Sequence, residues 1–96
     1  MIEDLNEVFE KFNDEYIKFD RIEKPLHPRP DIAAFMLLHN LVPQGGRDMV
    51  SASEHDEIFL DVELEDLAKV ATEEDILYLV RCGVRLSEYD CLAMFT

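Results

Sequence analysis

The histidines and cysteines are the side chains of this sequence best suited to metal or covalent chemistry, and their spacing argues against both. Zinc sites draw on local pairs such as Cys-x-x-Cys or His-x-x-x-His, which set two donors beside one ion before the fold adds the rest. His27, His39 and His55 stand 12 and 16 residues apart, and Cys82 and Cys91 stand nine apart. No two share a ligand spacing, and the adjacent side chains of His55-Asp56-Glu57 are poorly placed to converge on one hard cation. Cys82 falls at the end of a predicted helix, where the negative end of the dipole raises a thiol pKa and removes its reactivity. Cys91 alternates within a predicted strand and reads as a small core residue. His39, on an apolar helix with no local nucleophile to serve, reads as a core or boundary histidine. Gly45-Gly46 is followed by Arg47-Asp48 rather than by the Lys-Ser/Thr of a phosphate loop, so it reads as loop punctuation. No nucleophile, base and orienting group come together, and no catalytic residue, metal or cofactor is expected.

The carboxylates stand above this background. The chain holds 22 Asp and Glu against 9 Lys and Arg, for a net charge of −13 and a pI near 4.4. Such a chain is unsuited to binding nucleic acid directly, because that requires a basic surface, or to binding anionic membranes. No apolar run approaches the ~18 residues of a membrane span, and the acidic opening is unlike a signal peptide. Two cysteines imply no disulfide framework, so a reduced, cytoplasmic protein is expected. The charge is uneven: residues 51–75 carry ten acids and only Lys69 as a base. The candidate binding surface is therefore Glu54, Asp56, Glu57, Asp61, Glu63, Glu65, Asp66, Glu73, Glu74 and Asp75. Phe59, alternating with Glu57 and Asp61, joins it as an aromatic anchor ringed by charge. Two readings stand. The acids form a face that imitates a phosphate backbone and steers a basic partner onto it, or they form a solvated coat and Phe59 lies beneath a helix.

The elements that would position these residues follow from periodicity. Ninety-six residues make one domain, able to bury roughly 65% of its unfolded surface. Ile2, Leu5, Phe9, Phe12, Tyr16 and Phe19 recur every three or four residues and predict an amphipathic helix over 1–20. Pro25, Pro28 and Pro30 make a connector over 25–30. Residues 31–42 read as a helix apolar on every side, hence buried. Residues 47–56 read as a loop. Residues 57–62 alternate as a strand, with Ile58, Leu60 and Val62 on one face. Residues 63–70 form a short helix. Thr72-Glu73-Glu74-Asp75 carries the pattern of a capped helix start, and Gly83 that of a left-handed stop. Residues 86–95 read as a final strand, with a turn near Ser87-Glu88, apolar on both faces and so covered on both. The expected fold is α+β, with about four helices packed on a short antiparallel sheet.

The run from His55 to Phe95, with Asp-Glu-Ile-Phe-Leu-Asp-Val, Thr-Glu-Glu-Asp-Ile, Val-Arg-Cys-Gly-Val-Arg and Cys-Leu-Ala-Met-Phe, resembles small acidic proteins of bacteriophages and prophages. That resemblance implies a bacterial host cytoplasm and expression during infection. Small phage proteins of this size and charge resemble, as a class, inhibitors of host defence nucleases, including anti-CRISPR and anti-restriction proteins. Such inhibitors share no motif, so no functional residue is carried over. The first expectation is thus a non-enzymatic inhibitor whose partner is a host protein with a basic surface. The second is an assembly module, dimerising through the first helix or the final strand. The third is a small metal-dependent hydrolase.

Overall fold

Short polar side chains set where two of the helices begin. A computed structural model describes residues 2–43, 50–54, 56–87 and 91–95, without the side chains at positions 51, 52 and 54. Helix α1 covers Leu5–Lys11, and the extended Asp4 before it accepts a hydrogen bond from the Glu7 amide at 3.4 Å. Helix α2 covers Pro30–Leu41 and takes its proline in the first turn, where the missing N–H costs nothing. Helix α3 covers Leu64–Val70 and helix α4 covers Glu73–Cys82. At α4 the cap is reciprocal. Thr72 Oγ1 accepts from the Asp75 amide at 3.2 Å, and Asp75 Oδ2 accepts from the Thr72 amide at 2.9 Å. The helix ends on Gly83 at φ 100°, the left-handed stop that the sequence predicts.

Strands β1 (Val50–Glu54), β2 (Glu57–Leu60), β3 (Arg85–Leu86) and β4 (Leu92–Phe95) form one antiparallel sheet in the order β1-β2-β4-β3. The fold is α+β, as expected. The pairing of β2 with β4 sets Ile58 opposite Met94 and Leu60 opposite Leu92, which gives the sheet its core face. Leu60, Leu92 and Met94 then pack with Ala33, Ala34 and Leu38 of α2 and Ile76, Leu79 and Val80 of α4. The proline connector is fastened to this core where the Leu26 amide donates to Tyr78 Oη at 2.9 Å.

Four expectations are corrected. The helix predicted over 1–20 stops after Lys11 and gives way to 3-10 turns at Asn13–Glu15 and Phe19–Arg21. Asn13 and Asp14 are weak helix formers, and Ile17 takes a left-handed φ of 62°, which no α-helix continues. Phe12, Tyr16 and Phe19 still pack on the core, so the apolar spacing is real while the backbone between them is not helical. Helix α2 is buried along one face only, and Met36, His39 and Asn40 are exposed, so His39 is a surface residue. Part of the predicted loop over 47–56 is strand β1, whose Val-Ser-Ala-Ser-Glu sequence alternates only weakly, with Val50 as its one bulky apolar residue. The final strand is two strands, β3 and β4, and the Glu88 side of its expected turn lies outside the described residues, as do Gly45, Gly46 and His55.

Leu79 is fully buried where α4 meets the rest of the core. Leu79→Ala is expected to cost about 2–5 kcal/mol through the cavity it leaves, measured by urea denaturation.

Candidate functional site

Helix starts collect the acids. Glu65 and Asp66 lie in the first turn of α3, and Glu73, Glu74 and Asp75 lie in the first turn of α4, where the positive dipole end favours them. Asp56, Glu63, Glu65, Asp66, Glu73 and Glu74 are exposed, whereas Glu57, Asp61 and Asp75 are half-buried. Asp75 is engaged in the α4 cap, and Glu73 pairs with Lys11 Nζ at 2.6 Å across from α1. Glu54 lies on β1, and its side chain is outside the described set. Acids thus stand exposed at the starts of α3 and α4, while Glu73, Asp75 and Asp61 are held in contacts inside the chain.

Phe59 is not available as an anchor. It is 8% exposed on β2, opposite Ala93, which is fully buried. The side of the sheet away from the main core is closed there, and the double coverage expected along 86–95 holds at Leu92, Ala93 and Met94, which are all buried, but not at Phe95, which is exposed. Glu57 is committed as well. It pairs with Arg85, whose guanidinium stacks 4.6 Å from the centroid of the exposed Phe95 ring.

The fold adds acids that residues 51–75 do not contain. Glu3, Asp4 and Glu7 from the start of α1 line a cavity of about 410 Å³ with Thr72 and Glu73 from the start of α4. Ile2, Val8 and Ala71 supply its apolar walls, and the Ile2 amide donates to the Ala68 carbonyl at 2.8 Å to hold the two ends together. Four carboxylates therefore share one groove whose walls suit an aliphatic stem. A basic side chain fits such a site, with the stem on the wall and the charge among the acids. The sequence signal was the eight acids of residues 1–24, which could not be joined to Glu73 without the tertiary contact.

A second feature lies behind α1. Glu15, with its side chain 14% exposed, accepts from Arg81 Nε at 3.0 Å and Nη2 at 2.7 Å through one oxygen, and pairs with Arg21 through the other. The Arg81 hydrogen bonds, aided by the charge of Arg21 and opposed by desolvation, hold this carboxyl below its ordinary pKa. Nearby, a cavity of about 370 Å³ lies between Phe9, Tyr16, Val80, Val84 and Arg85. Among the described residues, Tyr16 Oη and Arg85 Nε are buried without a hydrogen-bond partner, a state that costs about 1–3 kcal/mol for each such group.

Chemistry of other kinds has little to work with. Among the described residues no three His, Cys, Asp or Glu side chains are grouped to hold a metal, and no helix is long and apolar enough to cross a membrane. Cys82 and Cys91 are free thiols. Burial pushes Cys82 up to about 12, and Cys91 is half-buried with its Sγ 3.2 Å from Ser87 Oγ, rather than the core residue its strand position suggests. No known family matches the chain, and no characterised protein or solved structure matches it either. The functional reading therefore rests on the geometry of these side chains.

Two outcomes follow from the titrating groups. Because Glu15 is more acidic folded than unfolded, its contribution is complete above the ordinary carboxylate pKa and is lost as pH falls through the depressed value. Glu15→Gln should lower Tm at neutral pH, and parent and variant should converge progressively below about pH 4.5. Cys82 should resist iodoacetamide at pH 8 in the folded protein and react in urea, read by intact mass.

Proposed function

We propose that this chain is a non-enzymatic interaction protein whose acidic surface binds and blocks a basic, nucleic-acid-binding protein of a bacterial host, as anti-CRISPR and anti-restriction inhibitors do. The observation that carries the reading is the convergence of two acidic segments, distant in sequence, on the groove of Glu3, Asp4, Glu7 and Glu73. Beside it, Glu63, Glu65, Asp66 and Glu74 are exposed, and none of them forms an ion pair among the described residues. A protein groove that normally holds phosphates presents Lys and Arg side chains in a row. Carboxylates raised at helix starts meet those charges, speed the encounter, and disfavour partners of like charge. Phe59 takes no part in this contact, because it is buried.

The assembly reading gains less support. The apolar seam of α1 is taken up by the chain's own core through Leu5, Val8 and Phe9. The final strand lies between β2 and β3 with its backbone edges paired. Both surfaces on which dimerisation was expected are thus in use within one copy.

The test is charge reversal at exposed positions free of ion pairs. Glu3→Lys, Glu65→Lys and Asp66→Lys together should leave the domain folded, at a cost of about 0.3–1 kcal/mol for each reversal in the first turn of α3. A host protein retained on the immobilised parent at low salt, and eluted by a salt gradient, should bind the variant more than about tenfold more weakly, chiefly through slower association. Equal binding by parent and variant would reduce the acids to a solubilising coat.

A further inference from the structure

Helix α2 carries apolar residues on the side that it does not bury. At about 100° per residue, Ala33, Ala34 and Leu38 share the inner face and have no exposed surface. Ile32, Phe35, Met36 and His39 fall on the opposite face, with the i, i+3, i+4, i+7 spacing of a helix that docks on a partner. Ile32 and Phe35 are half-buried, His39 is exposed, and Met36 is 41% exposed. A helix apolar all round belongs in a place covered on all sides. The fold covers one side of α2, so three apolar side chains on the other still have surface to lose to a contact.

Charge selects the occupant. The one acid within α2 is Asp31, and Arg29 Nη2 answers it at 3.1 Å, so this face is neutral in a chain of net charge −13. The starts of α1, α3 and α4 carry acids, and copies meeting there would set carboxylate against carboxylate. At α2 two copies approach with less repulsion, whereas a basic protein finds no unanswered acid to recognise and an anionic membrane no free cation. The stripe is also complementary to itself. In an antiparallel pair about a twofold axis through its middle, the Phe35 ring of one copy meets the Met36 thioether of the other. Asp31, at the positive helix end, then comes beside His39 of the other copy, near the negative end. We infer that the outer face of α2 is a homodimer interface, two copies packing antiparallel through Ile32, Phe35, Met36 and His39. The contact is independent of the acidic groove. A stripe about 18 Å long and about 10 Å wide covers less than the ~800 Å² per partner of a stable complex, so the dimer is weak, with a Kd between about 10 μM and about 1 mM.

The experiment is sedimentation equilibrium of the full chain from about 5 μM to about 2 mM. The average mass should rise from 11.2 kDa toward twice that value, and further in about 0.5 M than in about 0.05 M NaCl, because salt screens the repulsion between copies. Met36→Lys, at an exposed position and with similar helix propensity, should keep the parent Tm and weaken the dimer at least about tenfold. Val70→Lys, at an apolar residue of α3 that is 51% exposed, should not weaken it. In the unmodified chain, NMR shifts on dilution should centre on the amides of Ile32, Phe35, Met36 and His39, a readout that needs no variant to fold. The triple charge-reversal variant at Glu3, Glu65 and Asp66 should dimerise at least as tightly as the parent, so this inference and the acidic-surface reading fail separately. A mass that stays at 11.2 kDa up to about 2 mM overturns the inference. So do a dimer that salt weakens, dilution shifts that lie outside α2, or equal weakening by Met36→Lys and Val70→Lys.

Discussion

Helix α4 has to begin at Thr72 and end at Gly83, and most of the helical layer depends on that placement. A helix shifted by one residue turns its buried stripe by 100° and takes Ile76, Leu79 and Val80 away from the core together. The reciprocal Thr72–Asp75 bonds and the left-handed Gly83 fix both ends. Helices α1 and α2 and both 3-10 turns then lean on the stripe so presented. Its exposed carbonyl end is closed from outside the helix as well, where the Ile17 amide donates to the Val80 carbonyl at 3.2 Å. A β-branched residue at φ 62° is strained, and this bond is the visible compensation.

The sheet imposes a second constraint of a different kind. Strand β4, last in sequence, pairs with β2 more than thirty residues earlier and sits inside the sheet, so the sheet closes only after α3 and α4 have been placed between the two strands. Placing the final strand inside satisfies its backbone on both edges, and its side chains from Leu92 to Met94 are covered on both faces. What is left outward on that side is polar and specific: Glu57, Arg85 and the ring of Phe95.

Local chemistry explains which parts were legible. The α4 cap, its glycine stop, the strand at 57–60 and the helix at 64–70 are written in adjacent side chains and could be read from them. The first helix misled because Phe12, Tyr16 and Phe19 reach the core by a path with the same average spacing as a helix, while the Ile17 turn that breaks it is set by a contact with α4. Strand β1 was illegible for the opposite reason, since its identity comes from pairing with β2 rather than from its own pattern. The acids of α3 and α4 were legible as charge. That Glu57 belongs to Arg85, that Phe59 is buried, and that Glu3, Asp4 and Glu7 join Glu73 are facts of tertiary contact, which composition does not contain.

Gathering acids has an energetic sign that bears on their role. Glu3, Asp4, Glu7 and Glu73 share one groove, and Lys11 is the cation shown paired there, on Glu73. Their mutual repulsion works against the folded state, and dissolved salt relieves it by screening. The helix starts favour each of these acids singly, but a coat that serves only solubility needs no gathering of two starts, because charges spread over the surface keep molecules apart equally well at lower self-repulsion. A surface meant to meet a basic partner gains from the concentration, since the partner's cations neutralise in the complex what the fold must tolerate alone. Salt then acts with opposite signs on the two equilibria, favouring the free domain by screening repulsion and weakening the complex by screening attraction. Under the proposed reading, that opposition is what separates an interface from a coat.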